Sequence, residues 1–467
     1  MINEIKEELR NAALYLTKEH LQLFVKAIDF AEEAHSGQRR ETGEPYIIHP
    51  YTVCKILLDY KADATTLISA LLHDVAEDTH FSIKDIEKRF GHKAAEIVDG
   101  LTKLEKGLLE KGKYSASNFE KLLTASASDI RVAIVKIADR LHNMRTLDVK
   151  KVEKQVPYAN ETLVFFSPMA ERLGLFKMQK ELDELSFKYL NPTKYKGVRQ
   201  LLDNYSVIFA DLFEFSMSKI KVSAMQELQL NFDWVDTPIY KAYSFLQGGY
   251  SLSDLYTVEV IADSPLHCYS ALGIIHGLFQ PVENQFQDQI AIKKSPFQRH
   301  LTTKVYINNI EVKFEIKTES VKQTQQYGVF SFLNRECRDE ELRKLSSELL
   351  RDTIPSVKSV SNDPIEFYEL ISFELLQRDI TVFTPKMDAV FLPEGASALD
   401  LAFNLNPQLA RKMSGVRING ELKSLSTLVK DMDIVEVMLE SWDMVNENWL
   451  NHAHTSKARK EILELLS

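Results

Sequence analysis

The segment TTLISALLHDVAED constrains this chain most. Its apolar residues recur at spacings of three and four, and an ionisable pair, His73 and Asp74, sits among them. A helix with that pattern buries its apolar face, and burying two ionisable side chains costs free energy unless a metal or a partner satisfies them. The same conflict appears in YIIHP, which carries His49, and in KIADRLHN, which carries Asp139 about 65 residues after the pair. Imidazole nitrogen and carboxylate oxygen together suit a divalent cation of intermediate hardness, with Mn²⁺, Fe²⁺ and Zn²⁺ all possible. Four such ligands gathered from three helices predict one metal held with open positions for water and substrate, which reads as a metal-dependent hydrolase.

If the helix runs on through the pair, Glu77 follows His73 by four residues and Asp78 follows Asp74 by four. Residues three and four apart share a face, so two further carboxylates would project beside the ligands. Either is a candidate catalytic group, as general base toward a metal-activated water or as the acid that protonates a leaving oxygen. The same spacing places Asn143 beside Asp139. Arg40, next to Arg39 in the polar loop GQRRETGEP, offers a planar fork of donors suited to phosphate oxygens. Taken singly these residues have ordinary uses: a core histidine, a solvated helix face, a surface loop, a cap. The prediction rests on their combination.

At 467 residues the chain is too long for one ordinary core, and about 100 to 200 residues per domain suggests three or so. Up to about residue 190 the periodicity is helical throughout. A proline in KYLNPTKYK marks a change, after which a long helix through EFSMSKIKVSAMQELQL precedes strand-like runs, YTVEVIA, TTKVYI and EVKFEIK, with CYSALGIIHGLF as a helix between them. Charged helix returns in RDEELRKLSSELLRDTI. Finally TVFTPKMDAVFLPEGASALDLAFNL, GVRINGEL and DIVEVML predict short strands around one helix in a module of about 60 residues.

A net charge of -10 argues against a chain whose main task is wrapping a nucleic-acid backbone, so any phosphate site must be locally positive. Cys54, Cys268 and Cys337 are few, odd in number and widely spaced, which indicates neither a disulfide framework nor a thiolate metal site. The N-terminal MINEIKEELRNAALYLTKEH mixes charges through its apolar residues and reads as neither signal peptide nor membrane span, so a cytoplasmic location is expected.

HSGQRRETGEPYIIHP, LLHDVAEDT, VDGLTKL, DIRVAIVKIADRLHNMRTL and ETLVFFSPMAERLGL together resemble the RelA/SpoT homologue family, which makes and breaks the alarmone (p)ppGpp in the stringent response. The resemblance implies His49, His73, Asp74 and Asp139 as Mn²⁺ ligands. It implies Glu77 and Asp78 as catalytic acids, Arg40 as a catalytic and substrate-contacting group, and Thr42 and Asn143 as substrate contacts. The implied reaction removes the 3′-pyrophosphate of (p)ppGpp to give GDP or GTP and pyrophosphate. Glu41 stands where relatives usually carry Lys, adding repulsion near the phosphates, and Thr42 stands where Ser is usual.

The next stretch resembles the family's synthetase domain more weakly. Gln285 and Gln287 replace an Arg and a Lys, Gln298 replaces a stacking Tyr, Lys313 falls on the catalytic Glu and Ala242 on a Lys, while Asp254 matches the Mg²⁺-binding Asp. Phosphoryl transfer depends on positioning and on stabilisation by metal and cations, so synthesis is expected to be lost. The last module resembles a TGS domain, a ubiquitin-like β-grasp, with Asn406 in place of a tRNA-contacting His.

The resulting expectation is a multidomain chain. It has an all-α HD hydrolase domain (1–195), an α+β nucleotidyltransferase-like pseudo-synthetase (196–345), a helical linker (346–378), TGS (379–440) and the start of a helical region (441–467). Intramolecular regulation by the pseudo-synthetase and TGS domains is expected. Because the chain stops at that last region, activation by ribosome or tRNA is not expected. Two alternatives remain: hydrolysis of a related 3′-phosphorylated nucleotide, and a non-catalytic alarmone-binding regulator.

Overall fold

The computed structural model describes residues 2–104, 111–224, 228–248, 252–292, 295–333, 339–350 and 353–466. The chain forms two compact units, one of Met1–Asp139 with Leu333–Ser467 and one of Arg140–Phe332. Among the described residues, no helix is long and apolar enough to cross a membrane. Cys54 and Cys268 are buried free thiols, and Cys337 lies outside the described residues.

The first unit opens with helices α1 (Ile2–Ala12), α2 (Lys18–Ala34), α3 (Ile48–Leu58), α4 (Ala64–Leu72), α5 (Val75–Asp78), α6 (Ile83–Phe90), α7 (His92–Leu101), α8 (Lys111–Ser128) and α9 (Arg131–Arg145), the last running on past the unit boundary. Short polar side chains start several of them. Thr17 accepts from the His20 amide, Asp63 from the Thr66 amide, and Ser82 with Asp85 makes a reciprocal capping box. α4 packs against α2, α3 and α7 and is buried on nearly every side, which its uncharged sequence ATTLISALL, with only small hydroxyl side chains among the apolar ones, permits. The residues that follow it, His73 and Asp74, therefore emerge inside the bundle.

Helices Asp339–Leu350, Thr353–Val360 and Pro364–Leu376 pack on α8, with Phe119 and Tyr368 in ring contact at 5.2 Å. Arg338, Arg351 and Asp352 of the charged helical stretch lie outside the described residues. The C-terminal module then pairs Asp379–Phe383 with Ala389–Pro393 and places Glu421–Lys423, Met413–Ile418 and Val435–Leu439 in a three-stranded sheet. Helix Ala398–Leu405 fills its core. The strands and this helix fall where the sequence predicts them, and a second, short helix, Pro407–Ala410, is added.

In the second unit, helix Phe176–Leu190 stops before Pro192, and a new 32-residue helix, Pro192–Ser223, starts on that proline, where the missing amide hydrogen costs nothing. The sheet holds β1 (Leu230–Asp236), β2 (Tyr256–Ala262), β3 (Gln280–Pro281), β4 (Gln287–Asp288), β5 (Leu301–Ile307) and β6 (Ile310–Thr318) in the order β1-β2-β6-β5-β3, with β4 on β5. β2 and β6 are parallel and the other pairs antiparallel. Val258, Val260, Val305, Phe314 and Ile316 belong to an apolar core that includes residues of the long helix and of Pro265–Leu278. By alternation, Lys304, Lys313, Glu315 and Lys317 fall on the opposite face.

Candidate metal centre

Helices α3 and α9 and the junction between α4 and α5 bring the predicted ligands together. His49 is the second residue of α3, His73 caps α4, Asp74 precedes α5 and Asp139 lies on α9. Nε2 of His49 is 3.2 Å from Nε2 of His73, 3.4 Å from Oδ2 of Asp74 and 3.3 Å from Oδ1 of Asp139. Nε2 of His73 is 3.2 Å from Asp74 Oδ2 and 3.8 Å from Asp139 Oδ1. Ligands about 2.1 Å from a metal stand about 3.0 to 3.4 Å apart around it, so the separations among His49, His73 and Asp74 fit one cation, and Asp139 meets that range toward His49 but stands farther from His73. Ligand atoms of His49, His73 and Asp74 all lie within 4.8 Å of one another.

The helix does not run through the pair as the spacing predicts. α4 ends at Leu72 and the single turn of α5 begins at Val75. His73 Nδ1 lies 2.8 Å from the Ala70 carbonyl, the acceptor that the Asp74 amide would use in a continuous helix. That bond interrupts the ladder, fixes the ring and leaves Nε2 facing the cluster. The Asp78 amide still bonds to the Asp74 carbonyl, so those two carboxylates remain on one side.

The cluster calls for positive charge. Burial would raise Asp74, but His73 and His49 hold it well below the usual carboxylate range, and Asp139 is held down likewise by Lys136 and the two histidines. Burial lowers His73, yet Asp74, Asp139 and the Ala70 carbonyl outweigh it and bring the imidazole to about 9. At that value His73 keeps its proton beside the two carboxylates. A divalent cation fits this donor set and would take the proton's place.

The two candidate catalytic carboxylates are held differently. Glu77 receives the Lys103 ammonium at 2.6 Å and the Lys103 amide at 3.3 Å. Asp78 Oδ2 lies 2.7 Å from the Tyr46 hydroxyl, which is also 2.7 Å from Asp74 Oδ2. Burial and these carboxylates push the Tyr46 phenol far above its ordinary value, so it serves as a donor. Lys136 donates to Asp139 Oδ2 at 2.9 Å. Tyr46, Lys103 and Lys136 were not singled out from the sequence. Lys103 and Lys136 stand in the quoted strings VDGLTKL and DIRVAIVKIADRLHNMRTL, but nothing in their spacing marks them.

Arg40 sits on the loop before α3, its amide bonded to the Glu44 carbonyl and its guanidinium 4.0 Å from the Glu44 carboxylate. Gly43, at φ +85°, turns the loop back, and Glu41 and Thr42 are exposed at its tip. Asn143 follows Asp139 by one turn of α9 and falls in the second unit.

In the second unit, the residues of the synthetase-like stretch form a different cluster. Asp254 is in direct contact with the Lys304 ammonium. Lys304 and Lys313 are cross-strand partners, and burial pushes Lys313 below its ordinary value. Lys317 donates to Glu259 at 2.6 Å, Glu315 at 2.8 Å and Gln325 at 2.6 Å. Burial would raise Glu315, but His300, Lys317 and Lys313 hold it at about 2. Ala242 is fully buried. In the C-terminal module, Asn406 accepts from the Gln408 and Leu409 amides as a helix N-cap.

A helical bundle closing on a His, His-Asp, Asp cluster defines an HD-domain protein, and the family model described as an HD domain matches residues 27–176. A TGS-domain model matches residues 380–439. Over 94% of its length the chain is 34% identical to a probable guanosine-3′,5′-bis(diphosphate) 3′-pyrophosphohydrolase of Synechocystis, covering 60% of that protein. It is 32% identical over 96% of its length to the enzyme so named from Aquifex aeolicus, covering 65%. To the bifunctional (p)ppGpp synthase/hydrolase SpoT of Escherichia coli it is 32% identical over 97% of its length, covering 66%. Along nearly its whole length the chain is therefore similar to these enzymes, and it spans 60–66% of their length.

Proposed function

We propose that this chain hydrolyses the 3′-pyrophosphate of (p)ppGpp to GDP or GTP and pyrophosphate, in control of the stringent response. The observation that carries the proposal is the convergence of His49, His73, Asp74 and Asp139 on one point with Asp78 tied to Asp74 through one hydroxyl. The names of the relatives supply the substrate. His49, His73, Asp74 and Asp139 would hold a divalent cation, proposed to be Mn²⁺. When bound, it supplies positive charge against phosphate oxygens and lowers the pKa of water toward neutrality.

In the reaction the bond between the 3′ oxygen and phosphorus breaks, a water oxygen adds to that phosphorus, and the 3′ oxygen gains a proton. Glu77 and Asp78 are the groups proposed to accept the proton that water loses and to return one to the 3′ oxygen. Arg40 is proposed to pair with phosphate oxygens, and Thr42 and Asn143 to contact the nucleotide. The division into a hydrolase domain (1–195), pseudo-synthetase (196–345), linker (346–378), TGS (379–440) and a terminal helical segment (441–467) is proposed with it. Loss of synthesis is supported by the pairing of Asp254 with Lys304 and by Lys313 in the position of a catalytic Glu. The synthetase-like and TGS domains are then proposed to regulate the hydrolase.

The test is a Glu77→Ala variant assayed with Mn²⁺ and ppGpp. Retained nucleotide binding with turnover lost supports the enzyme. A parent protein that binds ppGpp without cleaving it favours the alarmone-binding regulator instead.

A further inference from the structure

We propose that Tyr46 is a positioning residue that couples the metal ligands to the acid-base group through one shared hydrogen-bond donor. The inference rests on the reading of Asp78 as catalytic given above. The Tyr46 hydroxyl is 2.7 Å from Oδ2 of Asp74 and 2.7 Å from Oδ2 of Asp78. A phenol carries a single proton, so the two carboxylates share one donor and their orientations are set together. Oδ2 is also the Asp74 oxygen that faces both imidazoles, at 3.4 and 3.2 Å. A carboxylate oxygen has room for a cation along one lone pair and a hydrogen bond along another, so the phenol orients the ligand without displacing what it binds.

The ring itself is fixed from several sides. The Tyr46 amide donates to the Gln38 carbonyl, and the ring stacks on His35 with centroids 4.8 Å apart and planes 24° from parallel. It meets the His49 ring edge-on at 6.1 Å. His35 Nδ1 lies 2.8 Å from Gln38 Oε1, and Gln38 Nε2 donates to the Asp78 carbonyl at 2.7 Å. The loop that precedes α3 thus grips the α5 turn through both the backbone and the side chain of Asp78. Tyr46 is the joint, because its one hydroxyl touches both a ligand and an acid-base carboxylate.

The test is Tyr46→Phe in the full chain, which removes one oxygen and keeps the ring. Four quantities are read: the melting temperature without metal, Mn²⁺ affinity by titration calorimetry, and kcat and KM for ppGpp. Loss of an outer partner typically weakens metal binding or activity by about 10- to 100-fold. Mn²⁺ affinity and kcat are expected to fall within that range, with KM within about twofold of the parent and the metal-free melting temperature unchanged. Affinity and kcat both within about twofold of the parent would overturn the proposal. A fall in metal-free melting temperature that accounts for the losses would also overturn it, by making Tyr46 merely structural. If the parent binds Mn²⁺ but leaves ppGpp intact, the proposed function fails, and the ratio of Mn²⁺ affinities alone decides the role of Tyr46.

Discussion

Two clusters of buried charge, one in each compact unit, handle the same problem differently. Around His49 and His73, Asp74 and Asp139 turn their inner oxygens toward the two imidazole rings. On the face of the mixed sheet, Asp254 contacts Lys304, while Glu259 and Glu315 share Lys317. A buried carboxylate must be compensated. The first cluster leaves part of that compensation to a cation from outside, and the second builds it into the chain. A third carboxylate, Asp183, takes neither course. Burial, opposed by a hydrogen bond from Ser167, pushes it up to about 7, so it keeps its proton at mildly acid pH. Only the first arrangement is suited to recruiting a metal.

The largest effect expected from this contrast is at the first cluster. His49→Ala or His73→Ala removes one of four ligands, and Mn²⁺ binding by calorimetry should drop below detection together with ppGpp turnover. Retained stoichiometric binding in both variants would place the metal elsewhere. Next is Lys317→Met, which strands Glu259 and Glu315 beside each other. Breaking a buried pair by removing one partner costs about 3 to 5 kcal/mol, read as a shift in urea or thermal unfolding, and adding Glu259→Gln should recover part of it. A shift under about 1 kcal/mol would mean that the sheet cluster is not tightly compensated.

Asp183 gives an effect of similar or smaller size with a definite sign. Its folded value, about 7, lies above its ordinary 3.8. Between those values the folded state binds more protons than the unfolded chain, so this group's contribution is complete below about pH 4 and is lost as pH rises through 7. Asp183→Asn, which can still accept from Ser167, should flatten that slope and stabilise the protein at pH 8 by at most about 4 kcal/mol. An unchanged pH profile of stability would contradict the assignment. The smallest effect belongs to the solvated ion pair of Lys358 with Glu120 at 3.0 Å, where Lys358→Ala should move stability by less than about 0.5 kcal/mol.

How much of this was legible beforehand follows from where each residue stands. His49, His73, Asp74 and Asp139 stood out because each lies beside apolar residues in a segment with helical spacing, a conflict readable from neighbours in sequence. The C-terminal module was legible from alternation and turn residues. Tyr46 and Lys103 were not, because they lie in loops and meet Asp78 and Glu77 across 32 and 26 positions of chain, for which local periodicity carries no signal. The break at His73 was also hidden, since its side chain competes for the Ala70 carbonyl in a segment whose pattern alone reads as continuous helix. In EVKFEIKT the alternation puts Lys313, Glu315 and Lys317 on one face, but Glu259, which completes the Lys317 pair, comes from another strand.

The most direct test of the central claim is to incubate the protein with ppGpp and follow guanine nucleotide and pyrophosphate by chromatography, with Mn²⁺ or with chelator, beside Asp74→Ala. The account predicts GDP and pyrophosphate only when both the metal and Asp74 are present. Cleavage that persists in chelator or in Asp74→Ala would contradict it.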